Sequence, residues 1–219
     1  MPKIGKKPSK ETREKLSKSA KIAHARKAIK EREGKQGKNF LTESELERFL
    51  KAAKKTRNGA RDHCMVMMAY RHGFRVSELI DIRLDELDLE GAQIFVRRSK
   101  NSLSTSQPIE GDELRALRAW LRERSASSQA GSPFLFFGIR GPFTRQAINS
   151  LFIRIAKAAK LPHIHPHMLR HTCGHLLANR QTPTRTIQNL LGHKSIKHTV
   201  LYTALNSEQF RDLWRKRKY

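Results

Sequence analysis

A two-residue hydrophobic period occurs in one part of this chain, and it restricts the fold more than any other feature. The segments AQIFVRR (92–98) and STSQPI (104–109) alternate apolar and polar residues, which predicts two strands joined around Lys100. From residue 39 onward the other periodic segments repeat every three to four residues, as amphipathic helices do. We therefore predict a mainly α fold with a small antiparallel β-sheet, an α+β domain.

Capping residues and glycines mark the ends of the predicted helices. Thr42 and Glu45 have the spacing of a capping box, and Ser77 is predicted to cap a short helix over SELIDI. Gly73 and Gly192 each stand where a helix would stop. The apolar run 134–137 predicts a small strand or a buried connector. The first predicted helix begins after Thr42. Further helices are predicted over about 60–71, 111–125, 144–160, 166–179, 184–191 and 195–202, and a last one begins at Ser207.

The net charge of the chain points to a polyanionic partner. There are 45 Lys and Arg residues against 20 Asp and Glu, which gives a net charge of +25. Nucleic acid is the first expectation, although an anionic membrane surface or the ribosome would fit the charge equally well. The chain has no apolar run of about 18 residues to span a membrane and no apolar stretch after its basic start, so we expect a cytoplasmic protein. Its two cysteines, Cys64 and Cys173, are expected to be buried thiols.

Residues 1–38 differ in composition from the rest of the chain. They hold 14 Lys and Arg and four Glu but no aromatic residue, so they cannot bury enough apolar surface to fold alone. The interpretation stays open between a disordered basic arm and a helix over about 9–33 that forms against DNA. We predict two parts, a basic arm at 1–38 and a globular domain at 39–219.

The stretch HIHPHMLRHTCGH (163–175) contains five of the ten histidines and raises the question of a metal site. His167, His171 and His175 share one face of a predicted helix, so two of them could chelate zinc. One helix supplies at most two good ligands, however, and the stretch lacks the glutamate of HExxH. Arg170 offers a better explanation, because it lies three residues after His167 near the helix start. A guanidinium beside a histidine suits an anion with several oxygens, such as a phosphate.

Three other stretches accompany HPHMLRHT (165–172). HGFRVSEL (72–79) places Arg75 after a glycine helix stop with Glu78 nearby, and LLGHKSIKHTVLYT (190–203) places Tyr202 nine residues after His193. Lys100 stands in the predicted hairpin, eight residues before Pro108. Together these motifs, in this order, resemble the tyrosine recombinase or phage integrase family over residues 39–219. The stretch from His165 to Trp214 is most similar to the short recombinases that invert fimbrial promoters.

The resemblance implies a site-specific DNA recombinase that acts through a 3′-phosphotyrosyl intermediate. Tyr202 would be the nucleophile, with His167 as the general base and Lys100 as the general acid. Arg75 and Arg170 would bind the non-bridging phosphate oxygens, and His193 would position the phosphate. His171 matches a position that is structural in the family. The remaining histidines of the cluster and His198 receive no role.

The resemblance also implies partners and excludes cofactors. It predicts double-stranded DNA as the partner, a tetramer on paired sites, DNA-bending accessory proteins, and a place on the bacterial nucleoid. It requires no metal and no other cofactor, because guanidinium and ammonium groups supply the positive charge. The last helix, with Phe210, Leu213 and Trp214, would pack on a neighbouring subunit or close its own core. The alternatives are a non-catalytic DNA-binding regulator of the same fold, a type IB topoisomerase and, more remotely, a zinc protein.

Overall fold

The computed structural model of the protein describes residues 39–98 and 102–204. The helices in these ranges are α1 Glu43–Lys54, α2 Gly59–Arg71, α3 Val76–Ile80, a 3-10 helix Leu84–Glu86, α4 Gly111–Ser125, α5 Arg145–Ala158, α6 Pro166–Asn179, α7 Thr184–Leu191 and α8 Lys197–Ala204. The strands are β1 Leu87–Asp88, β2 Gln93–Val96, β3 Thr105–Pro108, β4 Phe137–Gly138 and β5 Gly141–Pro142. The predicted class, mainly α with a small antiparallel sheet, is confirmed.

The sheet is a three-stranded antiparallel ribbon in the order β1, β2, β3. Ile94 pairs with Gln107 and Val96 with Thr105, so the two predicted strands form the expected hairpin. Ile94 and Val96 are buried while Phe95 between them is 45% exposed, as the two-residue period requires. The run 134–137 enters a second, two-stranded ribbon of β4 and β5, where Phe137 pairs with Pro142.

Helix α2 is the centre of the helical core. It packs against α1, α4 and α6, and its buried side chains include Met65 and Met68. Across the core Phe49 and Phe152 meet edge to face with ring centroids 5.6 Å apart, which joins α1 to α5. A smaller cluster of buried apolar side chains lies apart from this core and joins α6, α7 and α8 around Cys173, Ala178, Ile187, Leu191 and Tyr202.

The local signals agree with the structure at most helix ends. Thr42 and Glu45 form both hydrogen bonds of a capping box, and Pro166 occupies the first turn of α6. The predicted cap at Ser77 is wrong by two residues, because the Glu78 carboxylate accepts the backbone N–H of Arg75 and starts the helix there. The basic arm, Lys100 and the predicted helix from Ser207 lie outside the described residues. None of the described helices combines the length and the apolar composition that a membrane span needs.

Candidate active site

Two glycine helix stops bring distant parts of the chain together. Gly73 follows α2 with φ +56° and Gly192 follows α7 with φ +63°, both in the left-handed region that glycine tolerates without strain. A Cβ on Gly73 would lie 2.3 Å from Cδ2 of Leu191, so the two helix ends touch closely at this point. The last carbonyls of these helices need hydrogen-bond donors from elsewhere, because they have no intrahelical partner.

Arg170 supplies two of these donors. Its guanidinium donates to the carbonyl of Gly73 at 2.5 Å and to the carbonyl of Leu191 at 2.6 Å. The side chain is buried at 2% exposure. Burial, together with the charges of Arg75 and Arg98, lowers the pKa of Arg170 to about 10. The guanidinium therefore stays charged at neutral pH.

Arg75 lies beside Arg170 and is held by a buried carboxylate. Its Nη1 is 2.5 Å from Oε1 of Glu78, and its backbone N–H donates to Oε2 at 2.9 Å. Burial alone would raise the pKa of Glu78, but the backbone N–H of Arg75 and the charge of Arg98 outweigh it and lower that pKa. The carboxylate is therefore ionised and fixes the side chain of Arg75, which remains 32% exposed.

A third arginine, Arg98, belongs to the same cluster. Its Nη1 donates to Oε2 of Glu78 at 2.8 Å, and its Nη2 donates to the carbonyls of His72, at 2.7 Å, and Leu190. Sequence reasoning assigned it no role, although alternation along the predicted strand 92–98 places residue 98 on the same face as Ile94 and Val96, which are buried. We name the three guanidiniums, Glu78 and the carbonyls that they bridge the arginine junction. Among the described residues, Glu78 is the one carboxylate that pairs with these guanidiniums, so they carry a surplus of positive charge.

His193 follows Gly192 and so lies directly after the end of α7 that the arginine junction holds. Its Nδ1 lies 2.9 Å from the hydroxyl of Thr199, whose side chain is fully buried. Burial and the charge of Arg170 lower the pKa of His193 to about 3, so the imidazole is neutral at pH 7. If the Thr199 hydroxyl donates to Nδ1, the proton of His193 lies on Nε2, where it can be donated to an anion.

Tyr202 lies on the other side of His193. The two rings stack with centroids 6.2 Å apart, and the tyrosine hydroxyl is 3.1 Å from Nδ1 of His171. The ring packs on Gly174, where a Cβ would come within 2.6 Å of it, and meets His175 edge to face at 5.2 Å. We name His171, Gly174 and His175 the tyrosine seat. Burial raises the pKa of Tyr202 to about 12, so its proton must be removed before it can act as a nucleophile.

His167 opens onto a cleft of about 710 Å³. Arg75 lines the same cleft, together with Arg145 and Asn149 on α5. Burial and the charge of Arg170 lower the pKa of His167, which keeps the ring neutral and able to accept a proton. His167 reaches the tyrosine seat through His171, whose ring centroid is 4.5 Å away.

The predicted site residues thus gather around one place, apart from Lys100, which lies outside the described residues. Arg75 and Arg170 lie in the arginine junction, His193 follows it directly in the chain, and Tyr202 stacks on His193. The histidine closest to the tyrosine hydroxyl is His171, which the sequence predicted to be structural. His163 and His165 line the cleft. Across the described ranges no three His, Cys, Asp or Glu side chains are arranged to hold a metal ion.

Comparisons with known proteins agree with this geometry. Residues 39–209 match the phage integrase family. The chain is 40% identical over 188 residues to the type 1 fimbriae regulatory protein FimB of Escherichia coli (strain K12), which covers 85% of this chain and 94% of FimB. It is 33% identical over 184 residues to the tyrosine recombinase XerC of Oceanobacillus iheyensis, which covers 81% of this chain and 60% of XerC. The crystal structure of XerA recombinase superimposes with a TM-score of 0.71 at 28% identity, covering 81% of this chain and 65% of that one.

Proposed function

The chain belongs to the phage integrase family, and we propose that its arginine junction binds the scissile phosphate of a DNA strand while Tyr202 attacks that phosphate. The protein is a tyrosine recombinase, an enzyme of site-specific DNA recombination. The observation that supports these catalytic roles is the excess of positive over negative charge at the arginine junction. Guanidiniums that share one carboxylate are poised to receive an anion, and a phosphodiester supplies one negative charge.

The reaction exchanges a phosphodiester bond for a phosphotyrosyl bond, so it needs no external source of energy. The Tyr202 oxygen forms a bond to phosphorus, the bond from phosphorus to the 5′ oxygen breaks, and a 3′-phosphotyrosine and a 5′-hydroxyl remain. His167 takes the phenol proton, and Lys100 donates a proton to the leaving 5′ oxygen. A 5′-hydroxyl from a second strand then reverses the step on a new partner. Charge grows on the non-bridging oxygens in the transition state, where Arg75, Arg170 and His193 stabilise it.

Tyr202 must leave the tyrosine seat before it can attack. It is 5% exposed, and its hydroxyl is paired with His171 rather than open to the cleft. Arg170 is also buried, so DNA binding has to uncover its guanidinium while the bonds to the carbonyls of Gly73 and Leu191 keep it in place. His171 is the first proton acceptor that Tyr202 meets, and the ring of His167 lies next to it. The proton can therefore leave through His171 to His167 as the phenol moves.

Double-stranded DNA is the proposed partner, and the cleft beside His167 is the proposed docking surface. A related solved structure, XerH recombinase bound to its difH substrate, shows the same fold with a TM-score of 0.66 at 22% identity. Arg145 and Asn149 line the cleft on α5 and carry the side chains that most often read guanine and adenine. Assembly into a tetramer, accessory DNA-bending proteins, action on the nucleoid and a DNA-binding role for the basic arm remain part of this proposal.

Trapping the covalent intermediate tests the proposal and identifies the DNA site. The protein is incubated with duplexes from its neighbouring genomic DNA and with a randomised library, each nicked a few nucleotides 3′ of candidate positions. Cleavage releases the short 5′-hydroxyl fragment, so the protein stays attached to the 3′ phosphate. The wild-type protein is expected to form an adduct that survives denaturation, whereas Tyr202→Phe forms none.

The same experiment separates the enzyme from a regulator of the same fold. A regulator would shift the mobility of specific DNA but form no adduct on any nicked duplex. An adduct that persists in Tyr202→Phe would assign the nucleophile to another residue and overturn the proposed role.

A further inference from the structure

Arg98 is a buried charge at the site that the proposed chemistry does not use. Its side chain has no exposed surface, so in this arrangement it cannot contact DNA. We propose that Arg98 is a positioning residue that holds Arg75 and the turn before His193 in place, acting through Glu78 and the carbonyls at the ends of α2 and α7. This inference rests on the proposed function and assigns a role to a residue outside the catalytic set.

Arg98 and Arg170 bridge the same two helix ends, one residue apart. Arg170 donates to the carbonyls of Gly73 and Leu191, and Arg98 donates to the preceding carbonyls of His72 and Leu190. Helix C-termini carry partial negative charge, which favours cations at both bridges. The double bridge fixes the end of α2, which leads into Arg75, relative to the end of α7, which leads into His193.

Arg98 also determines how Glu78 holds Arg75. One carboxylate oxygen, Oε2, accepts both Nη1 of Arg98 at 2.8 Å and the backbone N–H of Arg75 at 2.9 Å. The other oxygen, Oε1, pairs with the Arg75 guanidinium. Without Arg98 the buried carboxylate loses one of the two guanidiniums that pair with it among the described residues. We expect both oxygens to turn towards Arg75 and draw its side chain away from the cleft.

The geometry requires arginine at this position. Three acceptors lie in different directions around the guanidinium, and a planar fork satisfies them together whereas an ammonium is a compact point charge. Gly192 provides the space, because a Cβ there would lie 2.9 Å from Cγ of Arg98. The guanidinium also lies over the ring of Phe74, 5.5 Å from its centroid. Together these contacts restrict the Arg98 side chain to one position.

The experiment measures the rate of adduct formation on the nicked duplex in single turnover, as a function of DNA concentration. Arg98→Met keeps the length of the stem and removes the fork. Its maximal rate is expected to fall by about 10- to 100-fold, because a displacement of about 1 Å in a catalytic group can cost about 10² in rate. The DNA concentration for half-maximal rate should change by less than about threefold, since Arg98 does not touch DNA.

Arg124 provides a matched control. It is also a buried arginine whose guanidinium donates to backbone carbonyls, those of Ala130, Ser132 and Phe134, in a different part of the fold. Arg124→Met should reduce stability in the same way but leave the adduct rate of the folded protein within about threefold of wild type. Equal rates for Arg98→Met and Arg124→Met would reduce Arg98 to a structural residue.

A double-mutant cycle tests whether Arg98 acts through Arg75. In protein that already carries Arg75→Ala, the further change Arg98→Met is expected to slow the reaction by a smaller factor than it does in wild type, because the part of the loss that passes through Arg75 is already gone. The same loss in both backgrounds would overturn the inference.

If Arg98→Met does not fold, Arg98→Lys tests the inference instead, because lysine retains the positive charge but not the fork. A slow Arg98→Lys supports the role, and a wild-type rate contradicts it. Absence of any adduct with wild-type protein would instead defeat the proposed function.

Discussion

The arginine junction and the tyrosine seat lie side by side, but different forces hold them together. The junction consists of buried charges and short hydrogen bonds that cross-link two helix ends. The seat holds Tyr202 by ring contacts and by one hydrogen bond of 3.1 Å to a half-buried histidine. A neutral hydrogen bond of this kind contributes only about 1 kcal/mol.

The difference matches what each part has to do in the reaction. Electrostatic stabilisation is effective when the charges are fixed before the phosphate arrives, because no reorganisation is then needed in the transition state. A nucleophile that begins out of the cleft must move, so it needs a weakly held resting position. On the proposed mechanism the site separates a prebuilt charge, the arginine junction, from a nucleophile that moves, Tyr202. Each of the following predictions tests one side of that separation.

Removing a positive charge from the arginine junction should have the largest effect on the rate of adduct formation. Arg170→Ala is expected to slow adduct formation by about 10² to 10³, which is the usual cost of losing one donor to a developing oxyanion. Arg170→Lys keeps the charge but cannot span both carbonyls, so it should remain well below the wild-type rate. Single-turnover rates on the nicked duplex, at equal folded fraction, check both variants. A rate for Arg170→Ala within about tenfold of wild type would mean that the junction is a structural bridge only.

Crowding the seat should have a smaller effect, and mainly on Tyr202. A Cβ on Gly174 would lie between 2.6 and 2.8 Å from three carbons of the tyrosine ring. Because the seat holds the ring weakly, we expect Gly174→Ala to displace it, at a cost in unfolding free energy of about 1 to 2 kcal/mol, towards the low end for overpacking. The pKa of Tyr202, raised to about 12 by burial, should then return towards the ordinary value of about 10.

Ultraviolet titration of the phenol measures that shift, with Tyr202→Phe as the reference for the other tyrosines. Gly131→Ala is a suitable control, because a Cβ at that exposed glycine meets nothing within 4 Å. If Gly174→Ala leaves the phenol pKa unchanged, the seat is as rigid as the junction and the proposed separation is wrong.

The residues that sequence reasoning identified share a local signature, and those that it missed do not. Periodicity and capping predicted α4 and α7 at their observed bounds, and four motifs in one order predicted the recombinase family, which is confirmed. The bridge from Arg98 to Leu190 spans 92 residues of sequence, and no local pattern encodes such a contact. Alternation along the predicted strand 92–98 does indicate that residue 98 faces inward. An arginine at an inward-facing position is unusual enough to indicate a buried partner even before that partner is known.

The contact between His171 and Tyr202 was missed for the same reason. Sequence spacing places His167, His171 and His175 on one helix face, but it does not show which of them α8 will meet. Packing of α8 on Gly174 brings the hydroxyl to His171. The catalytic roles of all the site residues, including His167 as the base and Lys100 as the acid, and assembly into a tetramer remain predictions.

Lowering the pH should act on the two histidines beside Tyr202, His171 and His193, and leave the charge of the arginine junction unchanged, with the smallest effect of the series. Burial, together with neighbouring charges, lowers the pKa of His171 to about 4 and that of His193 to about 3, against about 6.5 in an unfolded chain. Below about pH 6.5 the unfolded state therefore binds more protons than the folded state, so stability is complete above that pH and falls as the pH drops towards 4. Arg170, with its pKa lowered only to about 10, keeps its charge throughout this range.

Urea unfolding at pH 7.5, 6 and 5 measures the loss, which should stay below about 1 kcal/mol per pH unit for each group because both histidines are partly exposed and screened. His171→Asn removes one of the titrating groups and should flatten the dependence of stability on pH. A stability that rises as the pH falls through this range would mean that a charged histidine is favoured in the seat. In that case His171 would rest as a cation beside Tyr202, and it could not take the proton of the phenol.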